Sequence, residues 1–291
     1  MLLTNMANSV YRDMSDEEMA DISSRILFED NHFLIFNKRS GEIVQGDKTG
    51  DEPLSETLKA FIARRDSKAG QVFMGVAHRL DRPVSGAVLF AKTGKALERV
   101  NEMLRKGEVH KTYWALVQTP DQRAGFEGGN SRNYGTDRRD GCGRGLVDSV
   151  VNPEGWVELR NYLYRDEKKN KSFTFKGDGT PPAGYKEARL MYRILKELDH
   201  YTLLEIRLLT GRHHQIRCQL SSIGCPIKGD LKYGARRSNR DGSICLHARM
   251  IEFIHPVGRK DASGALTGND RIIEVAAPLA GEFLKIVGEP A

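Results

Sequence analysis

The sequence predicts an α+β protein built on a largely antiparallel, mixed sheet flanked by helices and loops. Strand-length apolar runs and amphipathic helical stretches follow one another in irregular order, without the regular βαβα alternation of a parallel sheet. Two of the later runs are separated by only two turn residues, Asp199-His200, as in a hairpin. A chain of 291 residues with 39% apolar residues can bury a sizeable core without disulfide staples.

Residues 1–25 read as a tail or short helix. Asp13, Asp16, Glu17, Glu18 and Asp21 make this stretch too acidic for a transit peptide and too polar for a secretory signal, which favours the cytosol over an organelle. A domain is expected from Ile26 to Ala291, opening with the run Ile26 to Lys38 read as a strand. Leu54, Leu58, Phe61 and Ile62 predict one helix, and Ala96, Leu97, Val100, Met103 and Leu104 a second, with a buried strand at Ala87 to Ala91 between them. Strands are expected at Lys111 to Val117, Glu187 to Leu198 and Tyr201 to Leu208. A helix opens near His213. Leu246 to Phe253 and Ile272 to Val275 add strands, and Leu279 to Val287 a closing helix. Residues 124–155, rich in Gly, Asn, Asp and Arg, read as a loop insertion, whose Arg132, Arg138, Arg139 and Arg144 are either solvated or available to phosphate. Gly234 to Gly242 is a second basic loop.

The net charge of +6 favours an anionic partner without identifying one. Cys142, Cys218, Cys225 and Cys245 form neither a Cys-x-x-Cys pair nor a spaced framework, so a reducing compartment is expected and a zinc ribbon is not. No apolar run approaches the ~18 residues of a membrane span. The phosphate loop of nucleotide hydrolases, the Gly-x-Gly-x-x-Gly dinucleotide turn and the His-Glu-x-x-His zinc pair are all missing. His78-Arg79-Leu80-Asp81 has the look of a kinase catalytic loop, but the magnesium-holding partners do not follow.

Three segments concentrate polar residues at apolar borders. In His78 to Gly86, a polar loop feeding a buried strand, Asp81 is either a functional carboxylate favoured in its charged form or a turn cap paired with Arg79 or Arg82. Thr210-Gly211-Arg212-His213-His214-Gln215-Ile216-Arg217 joins a strand to a helix and offers backbone donors and positive charge to an anion. Adjacent histidines on a helix point in different directions, and no carboxylate or cysteine completes a metal set there, so no metal is expected. In Lys111 to Val117, alternation sets Tyr113, Ala115 and Val117 on one face, where a buried Tyr113 hydroxyl needs a partner.

Together these segments resemble the RluA-type family of pseudouridine synthases. Asn37-Lys38 with Gly41 resembles the family's Asn-Lys-Pro-x-Gly, His78-Arg79-Leu80-Asp81 with Ser85-Gly86 its His-Arg-Leu-Asp motif, and Lys111-Thr112-Tyr113-Trp114-Ala115 its Lys-x-Tyr-x-Ala strand. Thr210-Gly211-Arg212 with His214 to Arg217, then Gly224 to Ile227, Gly229 to Gly234, Leu246-His247-Ala248 and His255-Pro256 follow in the family's order. Arg39, Val84 and His213 depart from the usual Pro, Thr, and Thr or Ser, which touches substrate fit more than chemistry. The resemblance covers about residues 26 to 280 outside the insertion.

The resemblance implies the pseudouridine synthase fold and isomerisation of uridine in rRNA or tRNA, without cofactor or metal, by a monomer. It implies that Asp81 starts breaking the C1′–N1 bond, that Arg212 is its ion-pair partner, and that Tyr113 stacks on the uracil and helps remove the C5 proton. It further implies that Leu246 packs on the uracil, that Arg79 fills the space left by the flipped nucleotide, and that His78, His214 and Arg217 bind substrate. Related enzymes that carry an S4 RNA-binding domain have it N-terminal, and with about 25 residues before Ile26 that domain is not expected here. RNA affinity is then expected from this domain and from the 124–155 insertion. An RNA-binding or RNA-chaperone protein with vestigial catalysis is the competing reading.

Overall fold

The computed structural model describes residues 10–47, 49–118, 154–177, 179–257, 259–260, 266–267 and 271–288. The 124–155 insertion lies outside them apart from Glu154 and Gly155. By its contacts the chain divides into two units, Met1–Thr112 with His247–Leu279, and Tyr113–Leu246 with Ala280–Ala291.

The first unit begins with helix α1 (Asp16–Ser24), whose Ser15 and Glu18 form a reciprocal capping box. Its Ile22 is buried, and Arg25, just beyond it, is clamped by Asp21 and Glu42 at 2.9 and 2.7 Å. The run from Ile26 to Lys38 is two strands, β1 (Ile26–Glu29) and β2 (Phe33–Lys38), paired antiparallel. Asp30 breaks the run. Its Oδ1 accepts the amides of His32 and Phe33 at 2.7 and 2.8 Å, an Asx turn that an apolar count passes over.

Helix α2 (Leu54–Arg65) buries Leu54, Leu58, Phe61 and Ile62, as their spacing predicts. Short β3 (Gly75–Val76) and β2 both pair antiparallel with β4 (Ser85–Ala91). Helix α3 (Gly94–Lys106) starts where Thr93 Oγ1 accepts the Ala96 amide, and ends at left-handed Gly107. Ala96, Val100 and Met103 of α3 pack with Phe33, Ile35, Ala87, Leu89 and Phe253 into one core. Strand β5 (Val109–Gln118) belongs to this unit through its first four residues.

In the second unit, β6 (Val157–Asp166), β7 (Lys171–Thr174), β8 (Lys186–Glu197) and β9 (Tyr201–Leu208) pair antiparallel in the order β9-β8-β6-β7, with β6 between β7 and β8. The turn at Asp199-His200 joins β8 to β9 as expected. Strands β6 and β7 are new relative to the sequence reading. Only Leu159 and Leu163 of β6 and Ser172 of β7 are buried, so neither strand shows an apolar run. Helix α4 (Gln215–Ser222) covers the inner face, where Gln219 Nε2 donates to the carbonyls of Leu159 and Ala188 and Cys218 packs with Leu163, Ala188 and Tyr233.

The chain returns to the first unit in β10 (Leu246–Ile254), parallel to β4 through His247 and Ser85. Short β11 (Arg259–Lys260) and β12 (Leu266–Thr267) pair with each other, and β13 (Ile272–Ala276) lies antiparallel on β10. Helix α5 (Gly281–Val287) closes the chain.

Candidate active site

In the first unit, the loop from His78 to Val84 is held at both ends and in its middle. Leu80 and Val84 are buried, Asp81 is half-buried, and Arg79 and Arg82 are exposed. Lys38 reaches under the loop with only 1% of its surface exposed. Its ammonium donates to the carbonyls of Arg39, Arg82 and Val84 at 2.9, 3.0 and 2.6 Å. Burial pushes that ammonium down to about 8, against the opposing pull of Glu42 and Asp81. Three backbone acceptors thus meet on one cation, which fixes the loop's curvature.

At the N-terminal end, His78 Nε2 accepts the Leu89 amide at 3.2 Å, and burial with Lys111 nearby drives its pKa down to about 3. At the C-terminal end, the Ser85 hydroxyl lies 2.9 Å from His247 Nδ1, and His247 Nε2 lies 3.2 Å from the Ala277 carbonyl. A carbonyl only accepts, so Nε2 carries the proton and Nδ1 accepts from Ser85. Burial lowers His247 to about 4, keeping it neutral. Arg82 pairs with Asp51 and donates to Thr49 Oγ1, so it is committed to a neighbouring loop. His78, expected to bind substrate, serves β4 through its Nε2.

In the second unit, Gln215 organises the Thr210-Gly211-Arg212 turn. Its Oε1 accepts from the Thr210 hydroxyl at 2.8 Å and the Arg212 amide at 2.9 Å, while its Nε2 donates to the Arg189 carbonyl at 2.9 Å. In the sequence Gln215 stands inside the Thr210 to Arg217 segment with no part of its own. Its signal was available: a glutamine three residues into a turn can satisfy donors and acceptors at once. Arg212 is exposed, with Nε donating to the Glu187 carbonyl at 2.8 Å. Tyr113 (5% exposed) and Leu246 (4% exposed) are buried.

His214 and Arg217 take internal positions. Arg217 makes a two-pronged pair with Asp230 at 2.7 and 2.9 Å, both side chains nearly inaccessible, and lies over the Tyr233 ring. His214 Nδ1 meets the Tyr233 hydroxyl at 3.0 Å. Both residues, expected to bind substrate, thus make contacts inside the unit through these atoms. The expectation that the adjacent histidines diverge is corrected. His214 adopts φ 51° just before α4, outside helical spacing, and the two rings stack with centroids 3.8 Å apart.

Asp30, His32 and His255 in the first unit bring potential metal-ligand atoms within 4.8 Å of one another. The Asp30 carboxylate there already faces His255 Nε2 at 3.0 Å and Arg271 at 3.6 Å, and accepts two backbone amides. Those contacts fit a clamp between the β1–β2 turn and the end of β10.

The described geometry is that of a loop with clamped ends carrying one half-buried carboxylate, Asp81, in the first unit, and of a basic, glutamine-braced turn in the second. The model of the RNA pseudouridylate synthase family matches residues 32–222. The chain is 30% identical over 246 residues to ribosomal large subunit pseudouridine synthase C of Buchnera aphidicola, covering 82% of this chain and 65% of that one. It is 30% identical to an uncharacterized RNA pseudouridine synthase of Bacillus subtilis, with 90% of this chain and 71% of the other covered. It is 28% identical to ribosomal large subunit pseudouridine synthase C of Escherichia coli K12, covering 90% and 69%. The chain thus spans roughly two thirds of the length of these relatives.

Two solved structures share the fold. Human RNA pseudouridylate synthase domain containing 4 matches with TM-score 0.63 at 19% identity, covering 91% of this chain and 92% of that one. Human RNA pseudouridylate synthase domain containing 1 matches with TM-score 0.55, also at 19% identity, covering 87% and 82%. The chain belongs to the RNA pseudouridylate synthase family. Enzymes of this family are isomerases acting on RNA, which favours isomerisation over the RNA-chaperone reading. Among the described residues no helix is long and apolar enough to cross a membrane.

Proposed function

We propose that this chain isomerises specific uridines in RNA to pseudouridine, with Asp81 as the group that begins the reaction. The observation that carries the assignment is the Asp81 loop itself. A half-buried carboxylate sits between two exposed arginines on a backbone clamped by Lys38, Leu80, Val84 and the Ser85–His247 pair. Rigid support under one reactive side chain is what positional catalysis needs.

In this reading Asp81 initiates cleavage of the C1′–N1 bond, the uracil rotates, and C1′ bonds to C5. The C5 proton leaves and N1 regains one, so no atom is gained or lost overall. No electrons pass to an external acceptor, and the proposal needs no metal or other cofactor. Arg212 contributes positive charge to the reaction. Tyr113 stacks on the base and takes part in removing the C5 proton, Leu246 packs against the base, and Arg79 fills the space left in the RNA. Turning a base out of its helix costs a few kcal/mol, which stacking and phosphate contacts offset. The names of several relatives specify the large ribosomal subunit, which supports rRNA ahead of tRNA. The protein is taken to work as a cytoplasmic monomer.

Tritium release from RNA transcripts labelled at uridine C5 tests the assignment. The wild type should release tritium from rRNA. Asp81→Asn should release none while binding the same RNA and keeping the wild-type melting temperature. Retained turnover in Asp81→Asn removes Asp81 from its role, and a cellular defect rescued by Asp81→Ala would favour the RNA-chaperone reading.

A further inference from the structure

The outer face of the β6–β7 hairpin carries a feature the reaction does not use. Tyr164 and Phe173 are direct cross-strand partners, yet they remain 43% and 37% exposed. Tyr185 continues the aromatic surface, its ring 5.5 Å from both Tyr164 and Phe175. The Lys169 and Lys171 ammonium groups stand 5.8 and 5.6 Å from the Phe173 ring centroid. From Arg165 to Lys176 there are five cations and only two carboxylates, Asp166 and Glu167.

The hairpin is also held firmly at its base. The Ser172 amide donates to the Tyr233 hydroxyl at 2.8 Å, and its hydroxyl donates to the His213 carbonyl at 2.7 Å. Asn170 Oδ1 meets His213 Nε2 at 3.1 Å, and Lys232 donates to the Asn170 carbonyl. These bonds tie the hairpin turn to the residue next to Arg212. Ser172 points inward to α4, so the alternation of β7 sends Phe173 the other way.

We propose that the β6–β7 hairpin is an RNA-docking element, on which an unpaired base near the target uridine stacks against Phe173 and Tyr164 while Lys168, Lys169 and Lys171 hold the adjoining phosphates. The RNA's identity rests on the isomerase reading; the contact rests on the hairpin alone. Exposed aromatic rings set among lysines match the chemistry of single-stranded RNA, whose bases offer flat faces and whose backbone offers a charge at every residue. A protein partner would instead be met by a lysine-ringed patch holding few aliphatic side chains.

The test uses the full chain and a single-stranded RNA oligonucleotide, with a fully paired duplex of the same length beside it. Phe173→Ala should weaken binding to the single strand about tenfold, within the usual worth of a base–aromatic stack. Phe173→Trp should restore it. Lys168→Glu with Lys169→Glu should reduce the slope of log Kd against log salt by about 1 to 2. Lys95→Glu, an exposed change on α3, controls for general loss of positive charge. The proposal is overturned if Phe173→Ala and the double lysine variant bind like the wild type, if Lys95→Glu weakens binding as much, or if the duplex loses affinity equally. Tritium release by the wild type is scored separately. Absent release with hairpin-dependent binding defeats the isomerase reading alone, and release with hairpin-independent binding defeats the docking proposal alone.

Discussion

Lys38 and Gln215 hold the two loops that the proposed chemistry uses, and neither touches substrate in that proposal. Lys38 gathers three carbonyls around one buried ammonium, so Lys38→Met leaves those acceptors without their donor. Unsatisfied buried polar groups cost roughly 1 to 3 kcal/mol each. We expect a loss of about 2 to 4 kcal/mol overall, since the loop can move to recover part of it. Urea unfolding would read the loss, and kcat should fall with it because Asp81 rides on the same backbone. Gln215→Ala removes the bonds to Thr210, Arg212 and Arg189. Its expected signature is a lower kcat with RNA affinity nearly kept; an unchanged kcat would show that the turn holds Arg212 without this brace. Asp81, Tyr113 and Arg212 can be put forward from the sequence because their motifs are ordered along the chain. The internal parts of His214 and Arg217 cannot, since their partners Tyr233 and Asp230 lie well away in the sequence.

Helices and central strands were legible where one period of apolar residues runs unbroken. Ala96, Val100 and Met103 mark α3, and Ala87 to Ala91 mark β4, with nothing polar inside the pattern. Where a polar residue does structural work, the pattern misleads: the Asp30 turn cuts one apparent strand into β1 and β2, and the charged outer face of β6 and β7 hides two real ones. Gly86 shows what an element can demand of one position. Its φ is 114°, and a Cβ there would run into the Ala248 backbone of the parallel partner strand. Gly86→Ala should therefore disrupt the start of β4 against β10 and cost about 3 kcal/mol or more, combining backbone strain with displacement of a paired strand. A thermal midpoint within a degree of the wild type would refute that account.

Acid stability is a property of the whole molecule that follows from its buried histidines. His78 and His247 have folded values of about 3 and about 4, below the usual 6.5. As pH falls below about 6.5, the unfolded chain takes up these protons while the native chain does not. Their contribution is thus full above that value and drains away as pH falls toward about 4. For His247 alone the loss between pH 7 and pH 5 is about 2 kcal/mol. Urea midpoints at the two pH values should converge for His247→Gln relative to the wild type, and an undiminished pH gap would clear this imidazole of the effect. Charge acts at the same scale: the +6 balance makes RNA affinity fall as salt rises.

The α+β class, most of the helices and strands, and the family can be read along the chain, because periodicity and ordered motifs are local in it. Which polar residues are spent as scaffold and which face solvent emerges with folding alone. Lys38, His78, Arg217 and Asp230 look as functional in the sequence as Asp81 and Arg212 do. Burial sets Lys38, Arg217 and Asp230 apart, since a buried charge must find internal partners, and those partners come from segments that meet only when the chain folds.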